Sequence, residues 1–182
     1  MVLPHFEYHP DPVATGSIVQ SDTQCVCCGG ANGFIYVGSV YAEEDLAESI
    51  CPWCIAENAA HEKFDAEFVC IEGVSDYGSW ERVSPEVVEE VAFRTPGFNG
   101  WQQERWWTHC GDAASFLCPV GWRELESYGP EAITVFREEV GLGRYGMDTE
   151  TYLKALNRQH GPTGYLFQCR HCGKFGGYSD CH

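Results

Sequence analysis

The sequence predicts an α+β fold, a small domain of β-hairpins and cysteine knuckles with several short helices. Three observations predict it. Cysteines recur as C-x-x-C pairs beside glycines. Short runs of β-branched and aromatic residues are bounded by glycine, as strands and tight turns require. Helix-start signals precede amphipathic stretches in the second half. The 182 residues set one domain as the expectation, because single cores are typically built from roughly 100–200 residues. Within it, a knuckle-bearing half covers about 1–80, and a helical half ending in a further knuckle covers about 81–182.

The elements follow in chain order. Pro4, Pro10, Pro12 and Gly16 make the first 20 residues an extended arm, since proline lacks an amide donor and restricts its predecessor. Phe6 and Tyr8 give that arm something to pack. Cys25-Val26-Cys27-Cys28-Gly29-Gly30 reads as a tight turn, and Gly33 to Gly38 as a strand. Cys51-Pro52-Trp53-Cys54 leads into a helix running to Phe64, and Phe64 to Ile71 reads as a second strand. Ser84-Pro85-Glu86 starts a helix: Ser84 offers a cap, and Pro85 suits the first helical position, where its missing donor costs nothing. That helix runs to about Phe93, with Val87, Val88, Val91 and Ala92 inward. Trp101, Trp106 and Trp107 crowd the segment that follows. Helices are expected over Trp122–Tyr128, Pro130–Val140 and Thr149–Arg158, then a strand over Gly164–Gln168 that enters Cys169-Arg170-His171-Cys172-Gly173.

Composition excludes several classes. A 44% apolar fraction with 14% aromatics suffices for a core, and no apolar run approaches the roughly 18 residues of a membrane span. The first residues lack the basic and apolar regions of a secretory signal, so the expected location is the cytoplasm. Thiols there stay reduced, and closely spaced pairs among the 11 cysteines read as metal ligands rather than disulfides. The net charge is −16, from 27 acidic and 11 basic residues, and residues 43–90 alone hold 14 acidic against two basic. A nucleic-acid binder draws most of its affinity from a basic face, so nucleic acid is not an expected partner.

The cysteines form two candidate zinc sites. Cys25 and Cys28 make one pair and Cys51 and Cys54 another, with 22 residues between the pairs. A knuckle turn delivers the first two thiolates, and a helix start delivers the second two, where exposed amides stabilise them. A redox dithiol at Cys51 and Cys54 is the rival reading, weakened by the first pair. The second site is built on Cys169 and Cys172, with Cys110 and Cys181 completing the expected set and His109, Cys118, His171 and His182 as competitors. Cys27 and Cys70 are left over, Cys70 as a buried thiol in an apolar strand. A site of four cysteines is closed to water, so no catalytic residue is assigned. The alternative is a metal- or thiol-dependent enzyme with a pocket formed by Trp101 to Asp112, where the tryptophans either pack around the zinc or present a platform.

Several motifs together resemble the CbrC family of bacterial proteins. They are Leu3-Pro4-His5-Phe6-Glu7-Tyr8-His9-Pro10-Asp11-Pro12, Cys51-Pro52-Trp53-Cys54-Ile55-Ala56, Arg94-Thr95-Pro96-Gly97-Phe98, Trp101-Gln102-Gln103-Glu104, His109-Cys110 with Asp112, and Cys169-Arg170-His171-Cys172-Gly173. The resemblance spans nearly the whole chain. It implies a cytoplasmic, zinc-carrying protein from a family associated with tolerance to a DNA-cleaving colicin. The terminal Asp180-Cys181-His182 is similar to that family's ending, in favour of Cys181 as a ligand. Together with the acidic block, this sets the expected partner as a basic protein, a nuclease-type toxin, engaged by electrostatic complementarity.

Overall fold

The computed structural model describes residues 2–74 and 80–181. Its elements are short and mixed, six α-helices and seven antiparallel strands among the described residues. The arm is extended as expected and lies along the sheet edge: Phe116 N donates to Tyr8 O at 2.7 Å and Ser115 Oγ to Glu7 O at 3.0 Å. It feeds β1 (Ile18–Gln20), which pairs antiparallel with β2 (Phe34–Tyr36), Ile18 opposite Tyr36. The first knuckle therefore occupies the connection of a hairpin.

The expected helix through Phe64 is two helices, α1 (Pro52–Ala56) and α2 (Ala59–Phe64), because Asn58 takes a left-handed φ of 64° between them. The expected strand over Phe64 to Ile71 does not form. Asp65 is left-handed, with φ 53°, and turns the chain away from α2. The amides of Phe68 and Val69 then go to Ala92 O, at 2.8 and 3.3 Å, and a single bridge joins Glu67 to Tyr41. Cys70, expected in that strand, is buried at the start of a 3-10 turn (Ile71–Gly73).

The second half holds α3 (Pro85–Arg94), the hairpin of β3 (Thr108–His109) and β4 (Asp112–Ala113), and a sheet ordered β5 (Ser115–Val120), β6 (Thr163–Gln168), β7 (Phe175–Asp180). Pro85 opens α3 as expected, but Ser84 makes no side-chain cap. Val91 and Ala92 are fully buried and Val87 and Val88 only partly. Helices α4 (Trp122–Tyr128), α5 (Pro130–Val140) and α6 (Thr149–Ala155) follow. α6 stops short of Arg158 because Leu156 leaves the helical region at ψ 131°. α5 packs on β7, and Ser179 Oγ donates to Glu139 Oε2 at 2.9 Å across that contact.

β7 reads poorly as a strand, with Gly176 and Gly177 in its middle, because aromatic rings take the space of side chains. A Cβ on Gly176 would stand 2.1 Å from the Trp107 ring, and one on Gly177 would stand 2.9 Å from Phe136. Three buried clusters result: one around α1 and the β1–β2 hairpin, one between the sheet and α4–α6, and a central aromatic one. The central cluster joins Tyr8, Val69 and Val74 to Val91, Trp106 and Phe167, so distant stretches of chain share it. No helix among the described residues is long and apolar enough to cross a membrane.

Candidate metal centres

Both cysteine groups are assembled around the same knuckle. In the first, Gly29 N donates to Cys25 O at 2.8 Å and Cys25 N to Gly30 O at 2.9 Å. In the second, Gly173 N donates to Cys169 O at 3.0 Å and Cys169 N to Lys174 O at 2.8 Å. Each glycine is left-handed, φ 75° and 73°, the conformation that lets the chain fold back and point two sulfurs the same way. The second knuckle joins β6 to β7 as the first joins β1 to β2.

Centre 1 brings together Cys25, Cys28, Cys51 and Cys54, all ligand atoms within 4.8 Å of one another. Cys25 and Cys54 sulfurs are 3.8 Å apart, and Cys28 and Cys51 sulfurs 3.9 Å apart. A tetrahedron with metal–sulfur bonds of about 2.3 Å has edges of about 3.8 Å, so the spacing fits one four-coordinate ion. Cys51 stands immediately before α1, and its amide donates to Cys25 Sγ at 3.2 Å. Asn32 Nδ2 reaches Cys51 Sγ at 3.6 Å and Cys28 Sγ at 3.8 Å. Lys63 holds the knuckle from outside, donating to Val26 O at 3.1 Å and Cys27 O at 2.9 Å. Neither Asn32 nor Lys63 stands at a spacing that signals its role in the sequence.

The sulfurs share charge unequally. The hydrogen bond from the Cys51 side chain, aided by backbone amides, outweighs burial and brings the Cys25 thiol down to about 4. That same hydrogen bond, with burial, pushes Cys51 up, and burial foremost pushes Cys54 up. Four thiolates this close repel one another, and a central dication removes that conflict.

Centre 2 is made of His109, Cys110, Cys169 and Cys172, again within 4.8 Å. His109 Nδ1 lies 3.2 Å from Cys110 Sγ and 3.6 Å from Cys172 Sγ. The nitrogen–sulfur edge of a tetrahedron with typical bonds is about 3.6 Å. Cys110 and Gly111, φ 57° and 71°, form the two-residue turn between His109 and Asp112, which aims Cys110 at the knuckle. Glu81 fixes that turn by accepting from Gly111 N at 2.9 Å. The His109 ring stacks on Trp107 with centroids 5.2 Å apart.

Asp112 is not in this group; it clamps the two hairpins together. Its Oδ2 accepts from Arg170 Nη1 and His171 Nε2, both at 2.8 Å, and its Oδ1 accepts from Tyr8 OH at 2.9 Å. Arg170 and His171 are the two residues inside the knuckle, so the carboxylate orients the loop that carries Cys169 and Cys172. His171 is thereby committed elsewhere.

Cys181, expected in this set, lies past the far end of β7 from Cys172. At about 3.3 Å per residue, that six-residue strand holds the two some 20 Å apart. Cys181 O instead accepts from Gln102 Nε2 at 3.1 Å. Its place is taken by His109, a competitor visible in the sequence but adjacent to Cys110. Only the tight turn lets two neighbouring residues face one centre. Cys118 lies 3.4 Å from Tyr128 OH and is not in the group, and His182 lies outside the described residues.

The Trp101 to Asp112 segment does not line one pocket. Trp106 is fully buried and donates to Ala114 O at 2.9 Å, and Trp107 is 8% exposed. Trp101 borders a cavity of about 290 Å³ with Phe98 and Tyr165, whereas Trp107 and His109 border another of about 330 Å³ with Glu81 and Glu138.

Comparison with known proteins gives one family. The model of the family described as "Uncharacterised protein family (UPF0167)" matches residues 3–181. The chain is similar to UPF0167 proteins of Mycobacterium bovis and Mycobacterium tuberculosis, each 47% identical over 180 residues, covering 98% of this chain and 93% of the relative. A UPF0167 protein of Pseudomonas aeruginosa is 39% identical over 173 residues, covering 94% and 93%. No solved structure matches the chain.

Proposed function

The chain belongs to the UPF0167 family, and we propose that it is a zinc-stabilised binding module, cytoplasmic and within the CbrC branch of that family, that engages a basic protein. What carries the reading is that each centre offers four protein ligands at tetrahedral spacing. Sulfur-rich tetrahedral sets select zinc, and four protein ligands leave no position for an activated water. The ligands are Cys25, Cys28, Cys51 and Cys54 in one centre and His109, Cys110, Cys169 and Cys172 in the other.

Zinc at both centres deepens the acidity. Centre 1 carries a formal −2 and centre 2, with histidine for one thiolate, −1, taking −16 to about −19 rather than the −20 of two all-cysteine sites. Glu43, Glu44, Asp45, Glu48, Glu62 and Asp65 are all exposed on the segment that carries Cys51 and Cys54. A nuclease-type toxin must present a positive face to DNA, and a concentrated negative surface competes for that face.

The test is titration of the zinc-loaded chain against a basic nuclease domain at low and high salt, after metal analysis. Two zinc equivalents and an affinity that falls steeply with salt are expected. Absence of zinc overturns the metal reading, and salt-independent affinity or no binding overturns the partner.

A further inference from the structure

The two centres differ in what can reach their sulfurs. In centre 2, Cys110 and Cys172 are exposed, and Cys169 alone of its cysteines is buried. In centre 1, Cys25, Cys51 and Cys54 are buried; Cys28 is exposed, but Asn32 Nδ2 stands 3.8 Å from its sulfur. Metal-ligating cysteines are thiolates, the form that oxidants attack, and attack falls where the thiolate is open to solvent.

The exposed sulfurs of centre 2 also come from separate pieces of chain. Cys110 sits in the two-residue turn of the β3–β4 hairpin, and Cys172 in the knuckle between β6 and β7. All ligand atoms of the centre lie within 4.8 Å of one another, so a shift at the surface brings these two to the roughly 2.05 Å of a disulfide. Cys169 is the poorer partner for either. It belongs to the central buried cluster and its amide donates to Lys174 O at 2.8 Å, so moving it disturbs packing.

The frame around these sulfurs does not depend on a metal. Asp112 accepts from Arg170 Nη1 and His171 Nε2, both at 2.8 Å, and from Tyr8 OH at 2.9 Å, and Arg170 reaches Glu7 at 3.1 Å. Glu81 accepts from Gly111 N at 2.9 Å. These bonds keep hairpin and knuckle facing each other while the sulfurs change state.

We propose that Cys110 and Cys172 form a reversible disulfide under hydrogen peroxide, which dismantles centre 2 and spares centre 1. The inference rests on the zinc reading of centre 2 given above. One thiolate attacks a peroxide oxygen; the O–O bond breaks, hydroxide leaves and the sulfur becomes a sulfenic acid. The second thiolate attacks that sulfur; the S–S bond forms and the S–O bond breaks with loss of a second hydroxide. Two protons from solvent convert the hydroxides to water, and two electrons have passed from the sulfurs to peroxide. His109 and Cys169 remain as two ligands, too few for a structural zinc site, which takes four.

The test treats the zinc-loaded full chain, its metal first counted, with hydrogen peroxide, and follows it with a chromophoric zinc indicator and peptide mass mapping. One equivalent of zinc should leave at least about tenfold faster than the other, with loss of two hydrogens and a first disulfide joining Cys110 to Cys172. Dithiothreitol followed by zinc should restore both equivalents. Asp112→Asn should still form the disulfide but recover less zinc after reduction; full recovery overturns the role given to Asp112. Zinc that stays bound with all thiols reduced overturns the proposal, as does a first disulfide at any other pair or equal loss from both centres. A chain that takes up no zinc overturns the metal reading instead, and the disulfide map of that chain still decides between Cys110 with Cys172 and any other pair.

Discussion

Acid should destabilise this protein through one imidazole. His9 is fully buried, edge-on to Phe116 with centroids 5.1 Å apart. Its Nδ1 lies 2.7 Å from Pro96 O and its Nε2 2.7 Å from Thr15 Oγ1. A carbonyl only accepts, so Nδ1 carries the proton, and Nε2 lies against the Thr15 hydroxyl, whose one proton is contested by Pro12 O at 3.1 Å. Burial holds the ring's pKa down at about 4, against 6.5 in an exposed histidine. The folded chain keeps His9 neutral while the unfolded chain protonates it below about 6.5. Its contribution is therefore complete above pH 6.5 and lost as pH falls through 4. At ~1.36 kcal/mol per pH unit the difference amounts to about 3 kcal/mol, a large share of the 5–15 kcal/mol typical of a whole domain. The assay is urea unfolding of the native chain and of His9→Asn, whose amide can still donate to Pro96. Acid also loosens zinc ligands, but in both chains alike, so the difference between them isolates His9. The variant should be about 2–4 kcal/mol less stable near pH 7. That gap should shrink by about 2–3 kcal/mol near pH 4.5. A gap constant across this range refutes the reasoning.

The metal centres yield three further expectations. Cys54→Ser should reduce bound zinc from two equivalents to one and abolish cooperative melting of the segment around α1, read by metal analysis and calorimetry, because binding energy at such sites is folding energy. His109→Ala should cost one zinc equivalent and Cys181→Ser none; the reverse result would restore Cys181 as the ligand. A chelator should strip centre 2 first, since Cys110 and Cys172 are exposed whereas Cys25, Cys51 and Cys54 are buried, and two-phase zinc release followed by a chromophoric indicator would check it. Away from the metals, Gly176→Ala should destabilise the sheet by about 1–3 kcal/mol, because its Cβ meets the rigid Trp107 ring at 2.1 Å. Denaturant unfolding measures this.

What was legible in the sequence was local. The C-x-x-C pairs state their own geometry, since four consecutive residues suffice to make a knuckle. Pro85 announces α3, and Ile133, Phe136 and Val140 announce α5, because helical periodicity is written within a few turns. What was illegible depends on distant residues. β7 hides behind glycines whose missing side chains are replaced by Trp107 and Phe136 from elsewhere. His109 joins Cys110 only because Cys110 is itself a left-handed residue of the tight turn, with left-handed Gly111 beside it. Phe68 and Val69 look like strand residues, yet Ala92 supplies the carbonyl that a neighbouring strand would have offered. Cys181 was placed with the other cysteines by chemistry, but it lies across a strand's length from them.

The distribution of charge joins these threads. Residues 1–90 hold 17 acidic and two basic side chains, while residues 91–182 hold 10 and nine. The second half is thus nearly neutral, and several of its cations pair locally: Arg137 with Glu150, Arg144 with Glu139, and Arg170 at the second knuckle with Asp112 and Glu7. A single figure of −16 thus conceals an acidic first half beside a nearly neutral second one, and the field of the first is felt only at close range under screening. Four protein ligands at each centre would leave a bound metal closed to water, so that its part would be to hold loops in place. Centre 1 ties the first knuckle to α1, which follows the acidic run Glu43, Glu44, Asp45 and Glu48, and centre 2 ties the β3–β4 hairpin to the knuckle between β6 and β7. Salt should weaken the interaction proposed with a basic protein, and reversing the exposed Glu43 or Asp45 should weaken it at any given salt concentration, while the same change at Glu126, exposed in the second half, should not.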